Sequence, residues 1–144
     1  MFMVEYNRAF FGLYENLFIV LKERLGEEKA LELFSQVMER GLGQAYDAMG
    51  FQKGRPEDFA RVIRERDESV GLRVQFPEVS GRRIVYRFLT DPFPRLKGQV
   101  DPAKLCGTYM DFKVSHLLGE GWGYRMSTHI WDGDPFTEFV IEKK

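Results

Sequence analysis

The chain opens on a broad apolar stripe. Tyr6, Phe10, Leu13, Leu17 and Leu21 recur every three or four residues between Val4 and Leu25, the spacing of an amphipathic helix. Phe11, Tyr14 and Phe18 widen the stripe beyond what one neighbour covers, so this helix is expected to lie deep or to form a contact between two copies. Gly26 ends it, and Glu27 and Glu28 put negative charge at the positive end of a second helix. There Ala30, Phe34, Val37, Met38, Leu42, Ala45, Tyr46 and Met49 keep helical spacing up to Gly50. Gly41 and Gly43 lie inside this run at about 1 kcal/mol each relative to Ala, so either another backbone passes close by or the helix breaks near Gly41. The short junction at Gly26 predicts an antiparallel helical hairpin. A third helix opens at Arg55-Pro56-Glu57-Asp58 with Phe59, Val62, Ile63 and Val70 as a narrow seam. Its charged positions, Arg61, Arg64, Glu65, Arg66, Asp67 and Glu68, mix both signs and read as a solvated face.

After Gly71 the period changes to two. Leu72, Val74 and Phe76 alternate with Arg73 and Gln75, and beyond a turn at Ser80-Gly81 come Ile84, Tyr86 and Phe88, which together predict a hairpin. Thr90-Asp91-Pro92-Phe93-Pro94 must leave the sheet, since proline lacks the amide a ladder needs. Asp101 and Pro102 are strong helix-start signals, and Leu105, Tyr109, Phe112 and His116 stripe the helix that follows. Past Gly119-Glu120-Gly121-Trp122-Gly123, alternation predicts a strand over Tyr124 to Trp131, a type I′ turn at Asp132-Gly133, and a returning strand from Phe136 to Ile141. The expectation is an α+β fold: two long N-terminal helices and a shorter third, then a four-stranded antiparallel sheet of two hairpins with a helix inserted between them. One domain over 1–144 is expected, helical over 1–70, with the sheet over 71–144 and the inserted helix over 101–118.

Composition narrows the function classes. The 144 residues are 30% charged and 44% apolar, the mix of a globular domain, and 21 basic against 22 acidic residues leave a net charge of −1. Without a basic surplus, nucleic acid is not an expected partner. The apolar run from Phe10 to Leu21 is interrupted by Glu15 and Asn16 and is too short to span a bilayer, so no membrane partner is expected either. One cysteine excludes an internal disulfide and fits a reducing, cytoplasmic setting. Aromatic residues reach 15%, with 13 Phe, which suits a thick core or a lined cavity.

Candidate chemistry gathers between 101 and 139, which holds Cys106, His116 and His129. Cys106 falls in the first turns of its helix, where the positive end favours thiolate if the group is reachable; a small buried apolar residue is the other reading. Asp111 lies about 140° round a regular helix from Cys106, which counts against a simple dyad, whereas Lys113 shares its face and either lowers its pKa or reaches out to water. A thiol nucleophile also needs a base within hydrogen-bond reach, and the fold would have to bring His129 or Asp111 to it. The scattered His and Cys lack zinc-ligand spacing, no Gly-rich phosphate loop precedes a helix, and no motif calls for a metal or a cofactor. Arg73, Arg87, Arg125 and His129 fall on the polar positions of the strands, where they either hold an anion or simply face solvent.

Two long helices, a central hairpin, Thr90-Asp91-Pro92, Leu105-Cys106 followed by Asp111, and His129-Ile130-Trp131-Asp132-Gly133-Asp134 ahead of Phe139 together form an ordered set. In this layout the chain resembles the L-2-amino-thiazoline-4-carboxylic acid hydrolase-like family and, more distantly, vinyl-reductase-type small-molecule-binding domains. The family pattern carries a Cys-Pro after the hairpin and a further Cys after the Gly-Asp turn; here Asp91 precedes Pro92, and the last position falls around Thr137. The resemblance implies a hydrolase opening a small cyclic amidine-like ring, with Cys106 as nucleophile or ligand-contacting thiol, Asp111 as its polar partner and the Asp132-Gly133-Asp134 turn near the site; Asp91, Arg125, His129 and Asp134 are the candidate ligand-binding residues. With two cysteines replaced, it equally implies a fold kept after the activity was lost. Two other readings stand beside it: a non-catalytic ligand-binding or sensor domain with a small organic molecule in an aromatic-lined cavity, and an interaction module that forms a homodimer through the first helix.

Overall fold

A computed structural model describes residues 4–144. The first helix, α1, spans Arg8–Leu25 and not the stretch from Val4. Asn7 caps it by accepting the Phe10 amide at 3.0 Å, and the Asn7 amide donates to the Val70 carbonyl, which holds the preceding residues in extended form against the end of the third helix. Gly71 permits that approach: its φ is +85°, and a Cβ there would stand 2.0 Å from the Glu5 carbonyl oxygen.

Helix α2, Glu27–Met49, returns antiparallel to α1 and is unbroken. Side chains, not a backbone, explain its two inner glycines. A Cβ on Gly43 would meet the Phe112 ring at 3.2 Å, and one on Gly41 the Tyr14 hydroxyl at 3.4 Å. Helix α3, Pro56–Ser69, follows. Helix α4, Pro102–Leu117, is capped by Asp101, whose carboxylate accepts the Lys104 amide at 3.0 Å.

Between and after these helices run β1 (Val74–Val79), β2 (Arg83–Phe88), β3 (Trp122–Thr128) and β4 (Thr137–Lys143). They form one antiparallel sheet in the order β1-β2-β4-β3, so the two hairpins join through β2 and β4 and α4 is inserted between them. In the β2–β4 register Tyr86 stands opposite Phe139, and Ile84, Tyr86, Phe88, Phe139 and Ile141 point into one core beneath the helices. The other face is tied by an Arg87–Glu138 ion pair at 2.5 Å, with Arg87 over the Phe136 ring.

The end of β3 departs from the alternation pattern. The strand stops at Thr128, and Ile130–Asp132 forms a 3-10 turn closed by Gly133 at φ 91°. Three side chains displace the sheet ladder here: Asp134 accepts the His129 amide, Thr137 the Ile130 amide, and His129 Nδ1 the Trp131 amide. His129 and Trp131 therefore leave the sheet for a stapled connection. Helix α1 is covered on one side only; Phe11 and Phe18 are buried, while Leu13 is 71% and Val20 52% exposed. No helix among the described residues is long and apolar enough to cross a membrane.

Candidate functional site

A cavity of about 50 Å³ lies between α1, α2, α3, α4 and the end of β2. Phe10 and Tyr14 of α1, Met38 and Leu42 of α2, Phe88 of β2 and Phe93 form apolar walls. The strap from Thr90 to Pro94 closes one side and is moored to the segment ahead of α1, because the Tyr6 hydroxyl donates to the Pro92 carbonyl at 2.8 Å.

Three charged side chains interrupt this lining: Arg66, Asp67 and Lys113. Asp67 follows Ile63 by one helical turn and Phe59 by two, so the buried seam of α3 carries its carboxylate inward. Lys113 follows Tyr109 by one turn on the buried face of α4. Both are nearly sealed, Asp67 at 4% and Lys113 at 3% exposure. Their charges stand 3.8 Å apart, an ion pair too long for a direct hydrogen bond. Tyr86 links them: its hydroxyl accepts from Lys113 Nζ at 3.0 Å and donates to Asp67. Among the described residues that hydroxyl is the one hydrogen-bond acceptor of the ammonium, whose other N–H groups face the rings of Tyr86, Phe88 and Tyr109 at 5.1 to 5.2 Å. Burial pushes Asp67 above the ordinary carboxylate range, against the pull of Lys113, and pushes Lys113 down, against the pull of Asp67. Close by, the Tyr46 hydroxyl and Arg66 Nε are buried with no hydrogen-bond partner. Polar groups left so cost free energy unless water or a ligand meets them.

The lone thiol lies beyond the wall formed by Phe88, Phe93 and Tyr109, next to a gap of about 10 Å³, room for one water. Cys106 is 3% exposed; its sulfur accepts from the Tyr109 hydroxyl at 3.3 Å and lies 3.7 Å from His129 Nε2. Because His129 Nδ1 accepts the Trp131 amide at 2.9 Å, the neutral ring carries its hydrogen on Nε2, the nitrogen that faces the sulfur. In that tautomer His129 donates to Cys106 and cannot take its proton. Burial pushes the thiol up to about 11, outweighing the Tyr109 hydrogen bond, and burial also holds His129 below its ordinary value. The result is a sealed thiol, not an activated one.

Of the candidate site residues, the structure brings together Cys106, His129 and Asp91. Asp91 accepts the Trp131 indole N–H at 2.6 Å and, through its other oxygen, the Phe93 amide at 3.0 Å. Asp134 fixes the His129 backbone and offers nothing to the sulfur. Asp111 is exposed and bonded to the Tyr124 hydroxyl, away from Cys106, as the helical angle requires. Arg125 is exposed on the outer face of the sheet, apart from His129. His116 contacts Asp47 at 2.8 Å. No group of three or more His, Cys, Asp or Glu converges as metal ligands would among the described residues.

Sequence pattern missed Asp67 and Lys113. Asp67 sits in a run of mixed charges that reads as solvated, although its spacing from Phe59 and Ile63 places it on the seam. Lys113 does not reach water: it is buried beside Asp67, and its pull on the Cys106 thiol is outweighed by burial.

The arrangement is an α+β domain with an apolar cavity between its helical layer and its sheet. No family model matches the chain, and no curated protein does. The resemblance to thiazoline-carboxylate hydrolases therefore gains no support from either comparison. Among solved structures the fold is similar to the crystal structure of the phenol-responsive sensory domain of the transcription activator PoxR with phenol. The TM-score is 0.59 at 16% identity, over 99% of this chain and 76% of that one.

Proposed function

We propose that this chain is a non-catalytic small-molecule-binding domain that seats a small organic molecule in the cavity between its helices and sheet. One observation carries the reading: an aromatic-walled hollow is lined by a buried ammonium and a guanidinium nitrogen with hydrogen-bonding capacity to give. The likeness to a phenol-responsive sensory domain supports it, since that domain, whose crystal structure is with phenol, shares the fold. Hydrolysis is not part of the proposal, because Cys106 lacks a base and Asp111 lies elsewhere. The free thiol suits a reducing compartment such as the cytoplasm. Exposed Leu13 and Val20 make the open face of α1 the contact expected between two copies, a reading discarded if sedimentation at micromolar concentration shows only monomer.

At about 50 Å³ the hollow is a third of the roughly 150 Å³ that admits benzene, so entry of a ring must displace Met38 and Leu42, the pliable walls on α2. Thermal unfolding with phenol and other one-ring compounds is the test. A hundredfold excess over Kd stabilises by about 2.7 kcal/mol, several degrees for a chain of this size. If no one-ring compound raises Tm, the reading fails.

A further inference from the structure

The lining of the cavity carries two positive side chains, Arg66 and Lys113, and one negative, Asp67. Its donors outnumber its acceptors as well. Asp67 accepts from Tyr86, whereas Lys113 gives one N–H to Tyr86 and keeps the others against ring faces, and Arg66, which donates through Nη1 to Ser69, has no partner at Nε. A hollow with one surplus positive charge and unmet donors is complementary to an acceptor-only group bearing one negative charge. The walls, being Phe, Leu and Met, fit an apolar body behind that group. A phenol hydroxyl would meet one donor and leave the surplus charge uncompensated.

Resting on the binding reading above, we infer that the ligand is a small monocarboxylate with an apolar body no larger than one ring, its carboxylate held by Lys113 with Arg66 as the second positive group. A carboxylate accepts through two oxygens and turns the excess charge into a balanced set of two positive and two negative groups. The Arg66 charge already bears on Lys113, pushing its pKa down, so an anion between α3 and α4 relieves that repulsion. A dianion would overshoot the balance.

The test is calorimetric titration at pH 7 with two matched pairs: benzoate against benzamide, and isobutyrate against isobutyramide, with phenol as a fifth probe. Each amide keeps the shape of its acid and lacks the charge. The expected result is that at least one acid binds about tenfold or more tightly than its amide and more tightly than phenol. The paired variant Asp67→Asn with Lys113→Met, shown folded by its unfolding transition, is expected to lose that preference. An amide or phenol that binds as well as the acids overturns the carboxylate and leaves the binding reading standing. Silence from all five probes overturns both. A preference that survives in the paired variant places the acid elsewhere and overturns the assignment to Lys113.

Discussion

Replacing Lys113 by Met keeps the stem that packs beneath Phe88 and removes the charge, leaving Asp67 buried with only the Tyr86 hydroxyl. A carboxylate in that position takes up a proton rather than remain charged. At pH 7, protonating a group whose unfolded value is about 3.9 costs about 4 kcal/mol, at 1.36 kcal/mol per pH unit, and at pH 5 it costs about 1.5 kcal/mol. The folded variant then binds one proton more than the unfolded chain, so its stability rises as pH falls from 7 toward 4. Asp67→Asn is the mirror image. Lys113 is left to give up its proton, the folded state binds one proton fewer, and stability rises as pH climbs from 7 toward 10. In the intact protein Asp67 is already raised and Lys113 already lowered, so these slopes are read as differences from wild type. At 3.8 Å the attraction within the pair is about 4 kcal/mol at an effective dielectric of 20, and desolvation of both ions cancels much of it. The double variant should therefore fall within about 2 kcal/mol of wild type and show neither slope. Urea unfolding of all four proteins at pH 5, 7 and 9 measures this. Flat profiles for both single variants, or a double variant as unstable as their sum, would refute the reasoning.

Three further outcomes follow from the same structure. With its thiol pushed up to about 11, Cys106 is about one part in ten thousand thiolate at pH 7, so a thiol reagent should label the native protein at least about a hundredfold more slowly than the urea-unfolded chain; rapid native labelling below pH 7 would contradict the sealed pocket. Gly71→Ala drives a Cβ into the Glu5 carbonyl at a φ of +85°, and should cost about 2 kcal/mol or more in urea unfolding and expose the chain ahead of α1 to protease. Asp134→Ala removes the acceptor of the His129 amide, and should cost about 1.5 kcal/mol and alter the near-ultraviolet circular dichroism of Trp131.

The architecture was legible because each element carried its own local signal. The Asp101-Pro102 start, the Gly26 junction and the alternation around Tyr86 all reappear as helix, turn and strand. What could not be read was decided at a distance. The early end of β3 depends on Asp134 and Thr137 reaching back to amides that alternation assigns to a ladder. The path of the chain ahead of α1 depends on Gly71, far along the chain, although the helix start itself has a local cap in Asn7. The charged group in the cavity was hidden for a related reason: Asp67 and Lys113 lie on different helices, and the tyrosine joining them is on a strand. Seen singly, one is a surface acid and the other a surface base. Cys106 drew notice by being the one residue of its kind, yet rarity says nothing of solvent access, and its neighbours proved to be a donor histidine and a ring.

Native mass spectrometry of the wild-type protein and Leu42→Trp, each incubated with benzoate and with phenol, tests the occupied cavity most directly, because the larger side chain fills the hollow from α2 while Lys113 and Asp67 are left unsubstituted. One equivalent of small molecule retained by the wild type and none by the filled variant is the expected result. Equal retention by both, or none by either, would contradict it.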